Sequence, residues 1–573
     1  MAYDILIKGG SVVDGSGADS VRADIAIAGG NIARIAPSID DQANEIIDAS
    51  GMVVTPGFID PHTHFDGQAT WDKELAPTSW HGITTAVMGN CGVGFAPVHR
   101  GKQQRDELIE LMEGVEDIPG TALWEGMTWN WESFPEYLDE LDRLPRKIDV
   151  MAHVPHGALR PYVMGERGLG KELATAKDIE AMTDIVREAV AAGAAGFSTN
   201  RMALHKSLSG ISVPGTFAEE DELLALTRPM GELGHGVLQV IPDGVVGENP
   251  GACEREIDMY RRISLETGVP VTFSLAIPHN DLELGDRILH LVDKANADGA
   301  RLIPQCQARA AGYMMGWESM NPFLDDCPTA REVHKLPPSQ RRQKAAEPEI
   351  RAKILSEFDR DAFYSVHTRA MAFPTTYLVS GDYICEPDHN RSLIAEAKRL
   401  GVDPIELLYD WMTEGMAQSF FSGYGDGNLD RIVEQLNHPA AVPSLADGGA
   451  HVSIMCDAGV PSFMLQHYVR ERSRGIKMKL ESVIEKLTSK PAAIYNLKDR
   501  GLLHEGLRAD INIIDAEHIK LKGMETLYDL PLGAPRLMQA ADGYVATLCK
   551  GDVTYHNGKA TQSYPGGLIR LGS

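Results

Sequence analysis

Val53-Val54-Thr55-Pro56-Gly57-Phe58-Ile59-Asp60-Pro61-His62-Thr63-His64 is the stretch of this 573-residue chain on which the fold turns. Side chains of a strand point to alternate faces, so His62 and His64, at the end of an apolar strand, send two imidazoles the same way. A shared metal ion requires that placement. One histidine there would read as a satisfied core or surface residue. Two at i and i+2, directly behind Pro-Gly, point to ligation.

On the N-terminal side of this stretch the chain alternates and turns. Tyr3 to Lys8 reads as a strand, Gly9-Gly10 as a turn, Ser11 to Asp14 as a strand, and Ala23 to Ala28 closes on Gly29-Gly30-Asn31. The last sixty or so residues have the same texture, with strands predicted at Ala509 to Asp515, Gly543 to Cys549 and Val553 to His556. Neither end is long enough to bury a core alone. The two are predicted to pack together, residues 1–55 with 500–573, as one small β-sandwich.

Between them, short apolar runs alternate with helical patterns. Ile83 to Met88, Ile148 to Val154, Gly193 to Thr199, Gly236 to Ile241, Val269 to Ala276 and Ala300 to Cys306 read as strands, separated by helices such as Ala176 to Ala192, Glu219 to Leu233 and Glu254 to Thr267. Repeated β-then-α implies a parallel sheet, and over residues 56–499 a (β/α)8 TIM-like barrel is the favoured closure. A doubly wound open sheet is the alternative. No GxGxxG opens a helix after a strand, which counts against its nucleotide-binding version. Residues 316–349, with Pro322, Pro328 and Pro337-Pro338 ahead of Arg341-Arg342-Gln343-Lys344, are irregular and read as an insertion, either a surface excursion or a lid over the C-terminal face of the barrel.

Composition narrows the partners. With 43% hydrophobic and 24% charged residues the chain can bury a large core, and 54 Lys and Arg against 81 Asp and Glu leave a net charge of −27. That field repels nucleic acid and anionic membranes. Seven cysteines, odd in number and never in a CxxC pair, argue against a disulfide framework or a structural zinc knuckle. With no 18-residue apolar run, the sequence reads as a soluble, cytoplasmic protein acting on a small molecule, with no membrane partner and with a homo-oligomer left open.

Four motifs bear a family resemblance. PGFIDPHTHFD resembles the first-strand metal motif of the amidohydrolase superfamily, a metal-dependent (β/α)8 barrel flanked by a β-sandwich made from both chain ends. The run Leu487 to Ala493, then Asp499-Arg500-Gly501 and Gly506 to Asp510, is similar to that superfamily's return from barrel to sandwich. Gly89-Asn90-Cys91-Gly92-Val93-Gly94-Phe95-Ala96-Pro97 resembles the N-acyl-D-amino-acid deacylase (D-aminoacylase) branch, which implies Cys91 as a zinc ligand. Val442-Pro443-Ser444-Leu445-Ala446-Asp447-Gly448-Gly449-Ala450-His451 resembles the last barrel strand. It implies Asp447 as both metal ligand and proton relay, with His451 as a partner of the ligand sphere.

The match departs at the fifth and sixth strands, where the deacylases carry histidines. Here those strands read Gly236 to Ile241 and Pro270 to Ala276, without histidine; Gln239 is a poor zinc ligand and His279 lies three residues past the strand end. One zinc ion per chain is therefore expected, held by His62, His64 and Asp447 with Cys91 in reach. By the same resemblance His156, at the third-strand end, lies near the substrate. Arg201 and Lys206, after the fourth strand, are candidate anchors for a substrate carboxylate, because an acidic protein needs local positive charge to bind an anion. The expected activity is metal-dependent hydrolysis of a C–N amide bond in an N-acyl-D-amino acid or related N-acylated amine. The alternatives are another bond, in a cyclic amide, carbamate or lactone, or a metal-free binding scaffold.

Overall fold

A computed structural model of the protein describes residues 2–365, 372–444 and 446–572; Leu445, inside the last motif above, lies outside them. Eight short strands form one parallel sheet: β1 (Phe58–Asp60), β2 (Ile83–Met88), β3 (Asp149–Pro155), β4 (Gly196–Asn200), β5 (Val237–Ile241), β6 (Val271–Leu275), β7 (Leu302–Gln307) and β8 (Val442–Ser444). Each pairs with the next in chain order, which makes β1 and β8 the two edges. The strands are buried along almost their whole length, as expected for a sheet covered on both faces, and this is why they read as unbroken apolar runs. Helices such as Ala176–Ala191, Glu220–Leu233, Ala252–Thr267 and Leu284–Ala297 supply the outer ring of a (β/α)8 barrel.

The edges β1 and β8 meet just beyond their ends. Among the described residues their backbone pairing is a single bridge, Thr63 opposite Gly448, with the His64 amide donating to the Gly448 carbonyl at 2.8 Å. The barrel seam thus closes directly under the His62/His64 motif.

Both chain ends build one nine-stranded mixed sheet. Val53–Pro56 runs antiparallel to Ile511–Ile514, with Thr55 opposite Asn512, so the strand leading into the barrel is paired with the one leaving it. Ile7, Ile25, Val54, Ile511, Ile513 and Leu548 share its core. The C-terminal motif residues form the junction with the barrel floor. On β3, Asp149 Oδ2 lies 2.5 Å from an Arg500 guanidinium nitrogen and 2.8 Å from one of Arg508, while Arg508 also reaches Asp510 at 2.9 Å.

Between β7 and β8 the chain makes a long insertion with a core of its own, including Trp317, Phe323 and Tyr409. Its three-stranded antiparallel sheet joins Ala311–Met315, Met416–Ser422 and Thr376–Val379. Residues 316–349, irregular in sequence, are largely helical, with Pro328–His334 and Pro338–Ala345 each beginning on proline. No described helix is long and apolar enough to cross a membrane.

The Asp149 cluster generates a stability prediction. Asp149→Ala removes the carboxylate that Arg500 and Arg508 share, leaving them Asp499 and Asp510, a loss on the order of 1–3 kcal/mol for a removed hydrogen-bond partner of a charged group. Thermal unfolding followed by circular dichroism should begin at a clearly lower temperature. An unchanged transition would show that the cluster does not hold the two units together.

Candidate metal centre and its cavity

The chain turns sharply at each point where a candidate ligand leaves the barrel. After β1 the Asp60 carboxylate accepts the His62 amide at 3.1 Å, fixing the turn that presents both imidazoles. Cys91 follows β2 with φ +56°, Asp447 follows β8 with φ +45°, and His451 has φ +51°. Such left-handed conformations cost about 1–2 kcal/mol for residues other than glycine, and strain of this kind clusters at functional sites. Glycine has steric work at Gly89 (φ +77°), where a Cβ would lie 2.5 Å from the His153 carbonyl oxygen. The tight turn that exposes Cys91 needs that space. The Cys91 amide in turn donates to Gln239 Oε1 at 2.9 Å.

Four donor groups converge. His62 Nε2 and His64 Nε2 lie 3.2 and 3.6 Å from Cys91 Sγ, and 3.4 and 3.7 Å from Asp447 Oδ1. Ligand atoms of His62, His64 and Cys91 all fall within 4.8 Å of one another. Each imidazole is backed at its other nitrogen: His62 Nδ1 by Gln305 Oε1 at 2.8 Å, and His64 Nδ1 by Glu116 Oε1 at 3.5 Å. A carboxamide oxygen only accepts, so it keeps the His62 proton on Nδ1 and leaves the Nε2 lone pair for a metal. Two imidazoles, a thiol and a carboxylate are the donor types of a tetrahedral zinc site.

Electrostatics at the centre follow from burial and neighbours. Burial presses the His62 imidazole down to about 4, with Asp447 opposing it. Burial acts the same way on His64, yet Glu116 and Asp447 outweigh it and hold that imidazole up at about 9. Burial, then the charges of Glu116, Asp447 and Asp66, push the Cys91 thiol well above its ordinary value. Burial alone would raise Asp447, but a hydrogen bond to His64 and the charges of His62 and His451 hold its carboxyl well below the usual range. Asp447 is therefore a carboxylate, and Cys91 gives up a proton when it ligates.

These residues form the floor of a cavity of about 450 Å³. Both imidazoles are fully buried, whereas the Asp447 side chain is 22% exposed and faces the open space. The walls are largely apolar, with Met202, Leu204, Ile241 and Val246 from the barrel loops and Tyr313 and Phe421 from the insertion. No residue of 316–349 lines the cavity; the insertion's strands Ala311–Met315 and Met416–Ser422 do. Among the described residues Arg309 is the one arginine or lysine on the wall, and Asp457 neutralises it at 3.2 Å. Burial, against the pull of Arg309, raises Asp457 to about 6.

The structure gathers His62, His64, Cys91, Asp447 and His451 on this cavity. The other expected residues lie elsewhere. His156 is buried, its Nδ1 2.8 Å from Thr199 Oγ1 and its Nε2 2.9 Å from Glu222 Oε1, in a cluster with Arg160. Arg201 pairs with Glu256 at 3.2 Å and opens onto a separate surface depression. Lys206 is exposed, and it is the neighbouring His205 that lines the cavity, held by Asn200 Oδ1 at 2.9 Å. Glu116, Gln305 and Arg309 did not stand out in the sequence. Glu116 ends a charged helix, Lys102–Glu116, that reads as a solvated face.

The amidohydrolase family model matches residues 45–555 of the chain. A D-aminoacylase of Alcaligenes xylosoxydans xylosoxydans is 34% identical over 272 residues, 48% of this chain and 50% of that protein, so the match spans about half of that relative. An N-acyl-D-glutamate deacylase of the same organism is 26% identical over 518 residues, 90% of this chain and 88% of that one. Among solved structures, a D-aminoacylase superposes with a TM-score of 0.66 at 22% identity, covering 99% of this chain and 100% of that one. An N-acyl-D-glutamate deacylase from Bordetella bronchiseptica, complexed with zinc and a phosphonate inhibitor, gives 0.65 at 23% identity, with both chains fully covered. Both structures share the fold.

The donor set predicts metal content. Elemental analysis of the purified protein should find close to one zinc per chain. Cys91→Ala should fall well below that, while Cys91→Asp, which restores an anionic donor, should retain part of it. Parental zinc in Cys91→Ala would make Cys91 a structural thiol.

Proposed function

The chain belongs to the amidohydrolase family, and from that premise we propose that it is a zinc-dependent hydrolase of a C–N amide bond in an N-acyl-D-amino acid or related N-acylated amine. One observation carries the reading: His62, His64, Cys91 and Asp447 converge at the floor of an apolar cavity, and of these side chains Asp447 opens toward the space. The family relatives named D-aminoacylase and N-acyl-D-glutamate deacylase support the bond and substrate class. The superposing D-aminoacylase has a binuclear centre with one-metal activation and second-metal attenuation, which accords with activity on a single ion here.

Zinc, when bound, polarises the scissile carbonyl and acidifies water. Asp447, whose carboxyl is held well below the usual range chiefly by its hydrogen bond to His64, accepts the proton of the attacking water. The same carboxyl then delivers that proton to the leaving nitrogen as the C–N bond breaks, so the base is regenerated. Gln305 and Glu116 hold the two imidazoles in one orientation throughout. The apolar walls seat the acyl group or the amine's side chain and exclude water from the bond being cut. Seven buried free cysteines accord with a reducing, cytoplasmic setting.

A second reading has one observation in its favour. Arg309, the one arginine or lysine on the wall among the described residues, is already neutralised by Asp457, so an uncharged ring amide or lactone meets no unbalanced charge there.

A hydrolysis screen of the zinc-loaded enzyme tests both. N-acetyl-D-amino acids with apolar side chains should turn over faster than N-acetyl-D-glutamate and faster than hydantoins or lactones. Preference for a ring substrate would favour the second reading. Asp447→Asn should lose about 10²–10⁴-fold in kcat while folding normally, the usual contribution of a general base. Near-parental turnover would remove Asp447 from the mechanism.

A further inference from the structure

Glu116 is the last residue of α1 (Lys102–Glu116), the helix inserted between β2 and β3, and its side chain is 1% exposed. Its two carboxylate oxygens face opposite sides of the barrel seam. Oε1 lies 3.5 Å from Nδ1 of His64, which follows the edge strand β1. Oε2 lies 3.5 Å from Nε2 of His451, in the loop after the other edge strand, β8. Both His64 Nδ1 and Glu116 Oε1 are buried with no hydrogen-bond partner among the described residues, so the contact between them is the one each has.

The backbone repeats the connection. The Glu116 carbonyl accepts the His451 amide, and the next carboxylate, Asp117, accepts the Ser453 amide at 2.9 Å and the Ser453 hydroxyl at 2.5 Å. The end of one helix thus grips the loop that carries Asp447 and His451, while its last carboxylate reaches across to a ligand from β1. Other backbone pairing between the two edges is confined, among the described residues, to the Thr63–Gly448 bridge.

We propose that Glu116 is a positioning residue that locks His64 and His451 across the seam, so that zinc affinity depends on its charge. This rests on the metal-centre reading above. A carboxylate behind a ligating imidazole fixes its proton on the far nitrogen and raises the basicity of the near one. His62 has only a carboxamide behind it, in Gln305, so the two histidines are held unequally and His64 is the one whose ligation is charge-assisted. Glu116 touches neither substrate nor reacting atoms in this scheme.

The experiment uses the full chain depleted of metal, titrated with zinc against a chromophoric chelator, for the parent, Glu116→Gln and Glu116→Asp. Glu116→Gln keeps the shape and removes the charge, and should weaken zinc binding about 10–100-fold. Glu116→Asp should recover part of that loss. Metal-free Glu116→Gln should keep the parent's circular-dichroism spectrum and unfold at a modestly lower temperature, since its contacts with His64 and His451 lose their charge. Glu116→Gln binding zinc as tightly as the parent would overturn the proposal. So would a metal-free Glu116→Gln that has lost the parent's circular-dichroism spectrum, because its weaker binding would then reflect an unfolded site. A parent that takes up no zinc would overturn the metal-centre reading and this inference with it.

Discussion

A parallel barrel has to join its first strand to its last, and among the described residues that join is one backbone bridge, Thr63 to Gly448. The candidate centre sits on it. His62 and His64 come from one side of the seam and Asp447 and His451 from the other, while Cys91 arrives from the neighbouring strand β2. An ion shared by these groups would tie together two edges that the backbone alone ties weakly. Ligation and barrel closure are then the same event, and Glu116 spans both.

Charge sets the second constraint. The protein is acidic overall, at −27, and among the described residues the cavity wall carries Glu116, Asp117, Asp447 and Asp457 against one arginine, Arg309, and no lysine. Buried anions require nearby positive charge or hydrogen-bond donors. Three of these acids have them, in the histidines around Glu116 and Asp447 and in Arg309 beside Asp457, and Asp117 holds Ser453. Little positive potential is left over for a substrate with several carboxylates. Affinity must come mainly from the apolar walls, which is the physical basis for expecting a substrate with an apolar group beside the scissile bond.

Much of this was legible in the sequence, for reasons particular to each residue. His62 and His64 stood out because strand alternation is a geometric rule. Cys91 and Asp447 stood out through resemblance, since neither has a spacing that shows a ligand by itself. Arg201 and Lys206 drew attention by charge near a strand end, but charge does not give direction. Along β4, Asn200 turns toward His205 while Arg201, one residue on, turns to Glu256 on the outer helix. His156 begins a helix and packs back on Thr199 for the same reason. The insertion looked irregular because of its prolines, yet Pro328, Pro338 and Pro348 each open a helix, a position where the missing N–H does no harm. Glu116 was hidden because a helix terminus full of charge looks solvated until its tertiary partners are known.

Barrel closure and catalysis both depend, in the function proposed, on one ion held across the seam by two imidazoles, a thiolate and a carboxylate. X-ray absorption at the zinc edge, on protein loaded with a single equivalent, tests it most directly. The spectrum should show one sulfur neighbour at about 2.3 Å together with imidazole nitrogens and a carboxylate oxygen at about 2.0–2.2 Å. A spectrum without sulfur, or with a second zinc at about 3.5–4 Å, would contradict it.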